Sequence, residues 1–228
     1  MNNYIELKNL SKTFFEKKSV NVLKKINFRF KLGKIYSLMG PSGSGKSTLL
    51  NIISLIDKPS AGTIKFQDKY IDFNDNQKND IFRAGNIGIV YQQDNLLSDF
   101  TALENVYLAS LSAGNEKKVA IIKAKHILKK VGLSNRLNHY PNELSGGEKQ
   151  RVSISRALVN EPNIILADEP TGSLDKKTSL EIFRLLKKQI NRQRLIIFAT
   201  HNRFLANKSD CLLEIVDGNI KSTNVRVR

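Results

Sequence analysis

Residues 40–48 read Gly-Pro-Ser-Gly-Ser-Gly-Lys-Ser-Thr, and this stretch decides the fold. Its pattern of glycine, four residues, glycine, lysine and serine is that of a phosphate-binding loop. Glycines at such positions let backbone N–H groups turn inward and approach phosphate oxygens closely. The run before the loop, 34–39, is strand-like, and the run after it, 48–53, is helix-like. The sequence therefore predicts a strand, a loop and a helix whose positive N-terminal end points at the bound anion.

The loop also indicates the class of ligand. We expect Lys46 to reach the β- and γ-phosphates of a nucleotide, and the Ser47 hydroxyl to hold Mg²⁺. The remaining loop residues are expected to surround the phosphates, and they are Gly40, Pro41, Ser42, Gly43, Ser44, Gly45 and Thr48.

Length and composition limit the other possibilities. The chain has 228 residues, of which 40% are hydrophobic, so it suits one α/β domain with room for an inserted subdomain. The single cysteine, Cys211, excludes an internal disulfide and a cysteine-based zinc site, and its apolar neighbours predict a small core residue.

No apolar stretch reaches the roughly 18–20 residues that cross a bilayer, and the first residues lack the pattern of a secretory signal. We therefore expect a soluble chain that stays in the cytoplasm.

The formal net charge of +16 has three interpretations. It can reflect lysines spread over solvated faces, proximity to an anionic membrane surface, or contact with nucleic acid. Apolar residues interleave with lysines over 117–131, which predicts an amphipathic helix with a basic outer face. Because aromatic platforms for bases are not apparent, nucleic acid is the least favoured of the three.

Two carboxylates end the apolar run 164–167. A buried strand of a parallel sheet presents such acids at its C-terminal edge, next to the phosphate-binding loop. Asp168 is placed to bind Mg²⁺, directly or through water. Glu169 is placed to polarise the water that attacks the γ-phosphate.

Two further polar residues follow predicted strands. His201 comes after the run 195–199 and can touch the γ-phosphate from the same sheet edge. Gln92 ends the run 86–91 and can hold Mg²⁺ or the attacking water through its amide, although Gln93 is an immediate competitor.

Hydrophobic periodicity predicts the other elements. We expect strands over 3–10 and 22–39, hairpins over 61–71 and 212–220, and helices within 102–131, with a break near 112–115, and over 146–159 and 176–190. The nucleotide-binding strands thus flank a mostly helical insertion near 94–157.

A second glycine motif, Leu144-Ser145-Gly146-Gly147-Glu148, indicates the family. With the phosphate loop, Gln92, the acidic strand and His201 in the same order along the chain, it resembles the nucleotide-binding subunit of ABC transporters over essentially the whole length. The resemblance implies the P-loop NTPase ABC ATPase fold, which is α/β with a mostly parallel core sheet, an antiparallel β subdomain and an inserted helical subdomain. It implies one domain over 1–228, with its core in 1–93 and 158–228 and the helical signature subdomain in 94–157.

The resemblance also implies a mechanism. Two copies of the domain pack head to tail, and each ATP, with Mg²⁺, lies between the phosphate loop of one copy and Ser145, Gly146 and Gly147 of the other. Asp175 connects the two sites, and the loop from Gln92 to Phe100 meets a cytoplasmic helix of a membrane partner. The family usually has a tyrosine as its adenine platform, whereas the matching residue here is Phe14, with Phe15 as a substitute.

Smaller matches narrow the subfamily. The segment 100–106 resembles the group of ABC ATPases that works with export or mechanotransmission partners. The segments 131–133, 139–145, 156–160 and 213–218, together with Arg136, resemble the ATPase of the bacterial lipoprotein-releasing system. That implies a homodimer on integral membrane subunits at the cytoplasmic face of the inner membrane, driving release of lipoprotein cargo to a periplasmic carrier, with no nucleic acid involved. Alternatives are a cell-division ATPase, a macrolide exporter, whose membrane part is commonly fused, and a soluble ABC ATPase acting on nucleic acid or ribosomes.

Overall fold

The structure, a computed structural model, describes residues 3–15 and 19–225. They divide into two compact units, the first within Met1–Asp80 and Ile190–Arg228 and the second within Ile81–Gln189. The strands are β1 (Asn3–Phe15), β2 (Ser19–Lys31), β3 (Ile35–Met39), β4 (Ala61–Phe66), β5 (Lys69–Tyr70), β6 (Ile87–Val90), β7 (Ile164–Asp168), β8 (Leu195–Ala199), β9 (Cys211–Val216) and β10 (Asn219–Val225). The helices are α1 (Lys46–Ile53), α2 (Asn76–Asn86), α3 (Ala102–Ser112), α4 (Lys117–Lys130), α5 (Gly146–Leu158), α6 (Lys176–Lys187) and α7 (Arg203–Ala206).

The first unit contains an antiparallel sheet in the order β2-β1-β4-β5. In β2 the buried residues, Leu23, Ile26 and Phe30, are apolar and are separated by exposed or half-buried ones, as expected of a strand with one solvated face. Phe28, Phe30 and Tyr36 stack edge to face beneath it, with ring centroids 4.7–6.0 Å apart. Burial raises the pKa of the Tyr36 phenol to about 12, and its oxygen accepts the Lys31 N–H at 2.8 Å.

The other strands of the first unit lie in the order β10-β9-β3-β8, with β3 parallel to both β8 and β9. Every residue of β8 is buried, which explains its continuous apolar sequence. The buried Cys211 in β9 confirms the interpretation of this residue as part of the core. The predicted uninterrupted strand over 22–39 is wrong, because the chain turns after β2 at Gly33, whose N–H donates to the Arg194 carbonyl at 2.9 Å.

The second unit combines the parallel pair β6 and β7 with four helices. Helices α3, α4 and α5 enclose an apolar core centred on Ala102, Val106, Ala124, Leu128 and Val152, all fully buried. The predicted helices of this region and the break between α3 and α4 are confirmed.

Helix α2 was not predicted, and it includes Asn86, which we assigned to the following strand. The helix is mostly polar, and Ile81 and Phe82 are its only large apolar residues, too few to be recognised as a repeating apolar pattern in the sequence. The local signal is Asp75, whose carboxylate accepts the Lys78 N–H at 3.1 Å and so caps the first turn.

Within residues 3–15 and 19–225, no helix has the length and apolar character needed to span a bilayer. The longest, α4, has 14 residues.

The close packing of β6 against α5 generates a stability prediction. A methyl group on Gly88 would overlap the Ala157 carbonyl oxygen, so Gly88→Ala should destabilise the protein by about 2 kcal/mol through overpacking. In Gly85→Ala, the matched control in α2, the new methyl group meets nothing within 4 Å, and stability should be unchanged or slightly higher. Urea unfolding of both variants measures the difference. Equal stability of the two would contradict the packing described here.

Candidate functional site

The phosphate loop leaves β3 at Met39 and enters α1 at Lys46. Its backbone requires glycine at both ends, because Gly40 and Gly45 have φ values of 148° and 105°. A side chain on Gly40 would also overlap the Ile215 carbonyl oxygen of β9. Residues 41–43 of the loop are exposed, so the loop lies open to solvent.

The donors of this loop fit an oxyanion. The Lys46 ammonium is buried and donates to the carbonyl oxygens of Gly40 and Pro41, each at 2.9 Å, which leaves one N–H for a ligand. The buried Ser44 hydroxyl has no hydrogen-bond partner among the described residues. Helix α1 begins at Gly45, which has no side chain to cap the N–H groups of the first turn. A phosphate group supplies the acceptors that these donors lack.

The position of His201 relative to this loop follows from the sheet. Leu38 of β3 pairs with Ala199 of β8, and the Thr200 N–H donates to the Leu38 carbonyl at 3.0 Å. Both strands are parallel, so the phosphate loop and the exposed His201 leave the sheet at the same edge. Ser47 is exposed and Thr48 half-buried in the first turn of α1.

The two aromatic residues expected to stack on adenine lie at the end of β1. Phe14 is 41% exposed and Phe15 is 81% exposed. The Lys12 ammonium lies over the Phe14 ring, 4.9 Å from its centroid, and is held there by the Asp57 carboxylate at 2.6 Å and the Lys58 carbonyl at 2.8 Å. The sequence did not indicate this buried lysine, which orients Phe14 by a cation–π contact.

In the second unit, the acidic pair ends β7. Asp168 and Glu169 are half-buried, and Glu169 has a φ of 48°, in the left-handed region that non-glycine residues seldom adopt. The Gly172 N–H closes the turn by donating to the Glu169 carbonyl at 2.9 Å. A methyl group on Gly172 would be 2.9 Å from the Gln92 amide nitrogen. Gln92 therefore packs against the loop that follows Asp168 and Glu169.

The loop after Gln92 is held in shape by three side chains. Arg156 donates to the carbonyl oxygens of Asn95 at 2.7 Å and Asp94 at 2.8 Å. Gln150 donates to the Tyr91 carbonyl at 3.2 Å. The buried Asn105 binds backbone groups at three points of the loop: Leu97, Phe100 and Thr101.

The signature motif begins α5. The Ser145 hydroxyl accepts the Glu148 N–H at 3.3 Å, while the Glu148 carboxylate accepts from the Ser145 N–H and hydroxyl, both at 2.8 Å, in a reciprocal capping box. The Arg136 guanidinium also donates to Glu148 at 2.8 Å. That contact, followed by those with Ser145, lowers the pKa of Glu148 from its ordinary 4.5 to about 2.

The two signature glycines face the start of α6. A methyl group on Gly147 would be 2.8 Å from the Thr178 side chain, and one on Gly146 would be 3.4 Å from Leu174. Asp175 caps α6 by accepting the N–H groups of Lys177 and Thr178 at 2.9 and 3.0 Å. Leu174, which precedes the cap residue Asp175, is therefore close to the signature motif within one chain.

The comparison with known proteins settles the family. The sequence matches the profile of ABC transporters over residues 23–172, about two thirds of the chain. The chain belongs to the ABC transporter family.

Individual relatives of this ABC protein agree with the family profile. The lipoprotein-releasing system ATP-binding protein LolD of Rickettsia conorii is 48% identical over 94% of this chain and 96% of its own length. The macrolide export ATP-binding/permease protein MacB of Bartonella quintana is 41% identical over 90% of this chain but 31% of its own length. A dimeric ATP-binding cassette solved in a post-hydrolysis state with ADP and Pi has a TM-score of 0.89 at 38% identity, covering 97% of this chain and 98% of that one. The expected ABC ATPase fold is thereby confirmed.

The structure also shows features of this ABC domain that sequence reasoning missed. A cavity of about 340 Å³ opens in the second unit, lined by Arg83, Ile87, Tyr91, Asn95, Arg156 and Asn160 among others. Burial raises the pKa of Tyr91 and lowers that of Arg156. Neither the cavity nor the Arg136–Glu148 ion pair has a local sequence signal, because each joins residues from separate elements.

The capping network predicts a pH dependence. Because the pKa of Glu148 is lower in the folded state, its ionised form stabilises the fold above about pH 4.5, and this contribution is lost as the pH falls toward 2. Glu148→Gln should therefore be less stable than the wild type near neutral pH, and the gap should narrow as the pH drops below 4.5. Urea unfolding across a pH series measures it. Arg136→Gln, which removes the largest cause, should show a smaller gap of the same sign, whereas parallel curves would rule the network out.

Proposed function

We propose that this chain binds and hydrolyses ATP as the nucleotide-binding subunit of a transporter that releases lipoproteins from the bacterial inner membrane. The observation that carries the proposal is the phosphate loop, in which Lys46, the Ser44 hydroxyl and the first turn of α1 present donors that a phosphate would satisfy. The 48% identity to a lipoprotein-releasing ATPase over nearly the whole chain supports the finer assignment.

In the proposed nucleotide site, Lys46 exchanges its contacts to the loop carbonyls for the β- and γ-phosphates of ATP. Backbone N–H groups of residues 42–48 surround the same phosphates, and the helix dipole of α1 favours their negative charge. Phe14 stacks on the adenine, with Lys12 fixing the orientation of its ring from the other side. The phenyl ring offers stacking without the hydroxyl of the family's usual tyrosine.

The proposed hydrolytic residues divide the remaining chemistry. Glu169 accepts a proton from the attacking water, Gln92 orients that water, and His201 stabilises the γ-phosphate. Mg²⁺, when bound, would neutralise charge on the phosphates. Ser47, Gln92 and Asp168 are the oxygen donors that we assign to it, and hydroxyl, amide and carboxylate oxygens are the ligands this ion prefers.

We infer that the functional form is a homodimer in which Ser145, Gly146 and Gly147 of one copy face the ATP held by the other. The support is twofold. The related cassette with 38% identity was solved as a dimer with ADP and Pi. In this chain Ser145 and Gly146 are exposed at the N-terminus of α5, where the N–H groups of Gly146 and Gly147 are not part of the Ser145–Glu148 capping box and can meet an anion.

The membrane partner is proposed to dock on the loop from Gln92 to Phe100. The apolar side chains of Leu97 and Phe100 in this loop are 48% and 38% exposed. Arg156 holds the adjacent backbone by donating to the Asn95 carbonyl. The cavity beside Asn95 and Arg156 provides a recess for a helix of the partner. The proposed helical signature subdomain, 94–157, contains Asn95, Leu97, Phe100 and Arg156 of this surface, and the protein is then a peripheral subunit on the cytoplasmic face of the inner membrane.

Macrolide export is a second candidate, because a macrolide export protein is 41% identical over 90% of this chain. That relative is about three times longer, since this chain covers 31% of it. The two candidates share the ATPase chemistry and differ in the cargo and in the membrane subunits.

Changing Glu169 to Gln should preserve ATP binding and slow hydrolysis at least about 100-fold, because the amide cannot accept the proton. Glu161→Gln is the matched control, since Glu161 is exposed and has a similar left-handed φ of 53°. Phosphate release and ATP binding are measured on both. Hydrolysis at the normal rate in Glu169→Gln would remove Glu169 as the base.

Changing Lys46 to Ala should weaken ATP binding at least about tenfold, because hydrogen bonds from a charged donor to the phosphates are lost. The exposed Lys69 of β5 is the control position, where alanine should leave the affinity unaltered. Isothermal titration with ATP and Mg²⁺ reports both. Unchanged affinity in Lys46→Ala would count against the phosphate-loop assignment.

Affinity purification of Glu169→Gln protein from native membranes with ATP tests the cellular function. We expect two integral membrane proteins and acylated lipoproteins to be recovered with it. A single large permease with no lipoprotein would favour macrolide export, and a cell-division membrane protein without cargo would favour the regulatory alternative. Recovery with ribosomes or RNA alone would contradict transport.

A further inference from the structure

Helix α4 exposes a surface that the proposed function does not use. We define the lysine face as the outward side of this helix, and its residues are Lys118, Val119, Ile122, Lys125, His126, Lys129 and Lys130. All are exposed, and Ile122 is 68% exposed at the middle of the helix.

The opposite side of α4 is fixed in the core. Ala120, Ala124 and Leu128 are fully buried and pack within the apolar cluster of the second unit. The helix therefore cannot roll to bury Ile122 without exposing this side, so the exposure of Ile122 and Val119 belongs to the folded state.

The charge of the lysine face is largely uncompensated along the helix. Residues 117–130 include six lysines and no acidic residue. Of the neighbouring carboxylates, Glu104 of α3 is engaged in a capping box with Thr101 and interacts electrostatically with Lys117, which lies outside the lysine face. Glu116 is exposed at the N-cap of α4. Lys129 and Lys130 stabilise the C-terminal end of the helix dipole, but that role explains neither Lys118 nor Lys125.

The order of residues around the helix distinguishes this surface from a uniformly solvated one. At 3.6 residues per turn, Ile122, His126 and Val119 form the outermost crest. Lys118, Lys125 and Lys129 line one flank of the crest, and Lys130 lines the other, on the side of the half-buried Lys123, whose ammonium donates to the Asn115 side chain at 3.1 Å. Long lysine side chains on both flanks of an apolar crest can place their ammonium groups among anionic headgroups while the crest enters the interface.

We propose that the lysine face binds the surface of a bilayer containing anionic phospholipid. Lysines supply attraction to the negative surface, and Ile122 with Val119 supply the apolar contact that such an interface accepts. Nucleic acid fits less well, because α4 has no Phe, Tyr or Trp side chain for stacking and phosphate contacts leave the apolar crest in water. The inference goes beyond the proposed function, since α4 holds none of the residues assigned to ATP, dimer or partner.

The test measures binding of the purified full-length chain to vesicles by sedimentation. The vesicles contain about 30 mol% phosphatidylglycerol in phosphatidylcholine, with pure phosphatidylcholine as the neutral comparison. The triple variant Lys118→Gln, Lys125→Gln, Lys129→Gln should bind the anionic vesicles at least about tenfold more weakly. Ile122→Ser, which keeps every charge, should weaken binding about threefold by removing the apolar contact.

The matched control changes Lys8, Lys24 and Lys69 to Gln. These lysines are exposed on strands of the first unit, and their removal lowers the net charge of +16 by the same amount. The control should bind anionic vesicles nearly as the wild type does. Thermal unfolding and ATP hydrolysis, which should be unaltered in the α4 variants, show that the fold and the nucleotide site are intact.

Three outcomes would overturn the proposal. One is equal loss of vesicle binding in the α4 triple variant and the control, which would indicate net charge alone. Another is equal binding to neutral and anionic vesicles. The third is undiminished vesicle binding together with loss of RNA binding in the α4 variant, which would assign the lysine face to nucleic acid. Each leaves the ATPase assignment standing, because the two proposals have separate measurements.

Discussion

The N–H groups at the start of a helix are the constraint on which this site depends. Every α-helix begins with donors that have no acceptor inside the helix, and something else must satisfy them. Helices α3, α5 and α6 use the side chains of Thr101, Ser145 and Asp175. Helix α1 begins at Gly45 with no side-chain cap, and it follows a loop whose buried Ser44 hydroxyl also has no partner in the described part of the chain. Helix α4 also begins without a side-chain cap, so what distinguishes α1 is that its uncapped first turn coincides with the unpartnered Ser44 hydroxyl and the buried Lys46 ammonium, and this is where a phosphate is proposed to bind.

Helix α5, which begins with the signature motif, has acceptors for its first N–H groups within the chain. Its donors are satisfied in part by Glu148, whose carboxylate stays ionised because Arg136 and Ser145 lower its pKa to about 2. The negative charge at the start of α5 is balanced by Arg136, 2.8 Å away, so a further anion at this terminus meets a capped helix rather than an unsatisfied one. One chain therefore combines a helix terminus that lacks a cap with one that is already capped. This difference is consistent with a primary phosphate site at α1 and an accessory contact at α5.

The sequence predicted those parts of the structure that depend on local pattern. The phosphate loop, the continuous apolar strands β7 and β8, and the helices α3 to α6 all have periodicity or spacing that does not require knowledge of distant residues. The sequence-based predictions were wrong or incomplete where contacts between residues distant in the chain determine the structure. Gly33 turns the chain where alternation suggested one strand, and Arg156 reaches back about sixty residues to hold the Asp94 and Asn95 carbonyls. Helix α2, which is capped by Asp75, was missed because it is mostly polar and has only two large apolar residues, Ile81 and Phe82.

Glu169 shows how backbone geometry adds to the argument from residue type. Its φ of 48° costs a non-glycine residue about 1 kcal/mol, which glycine at the same turn would avoid. Asn9, Asn95 and Asp217 share this conformation, but their short polar side chains tolerate it. Glutamate has a longer side chain that does not favour this conformation. The exposed Glu161 also has a positive φ, so a positive φ alone does not identify a functional site. What distinguishes Glu169 is its position directly after Asp168, in a turn closed by Gly172, against which Gln92 packs. A carboxylate kept at this turn despite the backbone cost favours a chemical over a structural role for it.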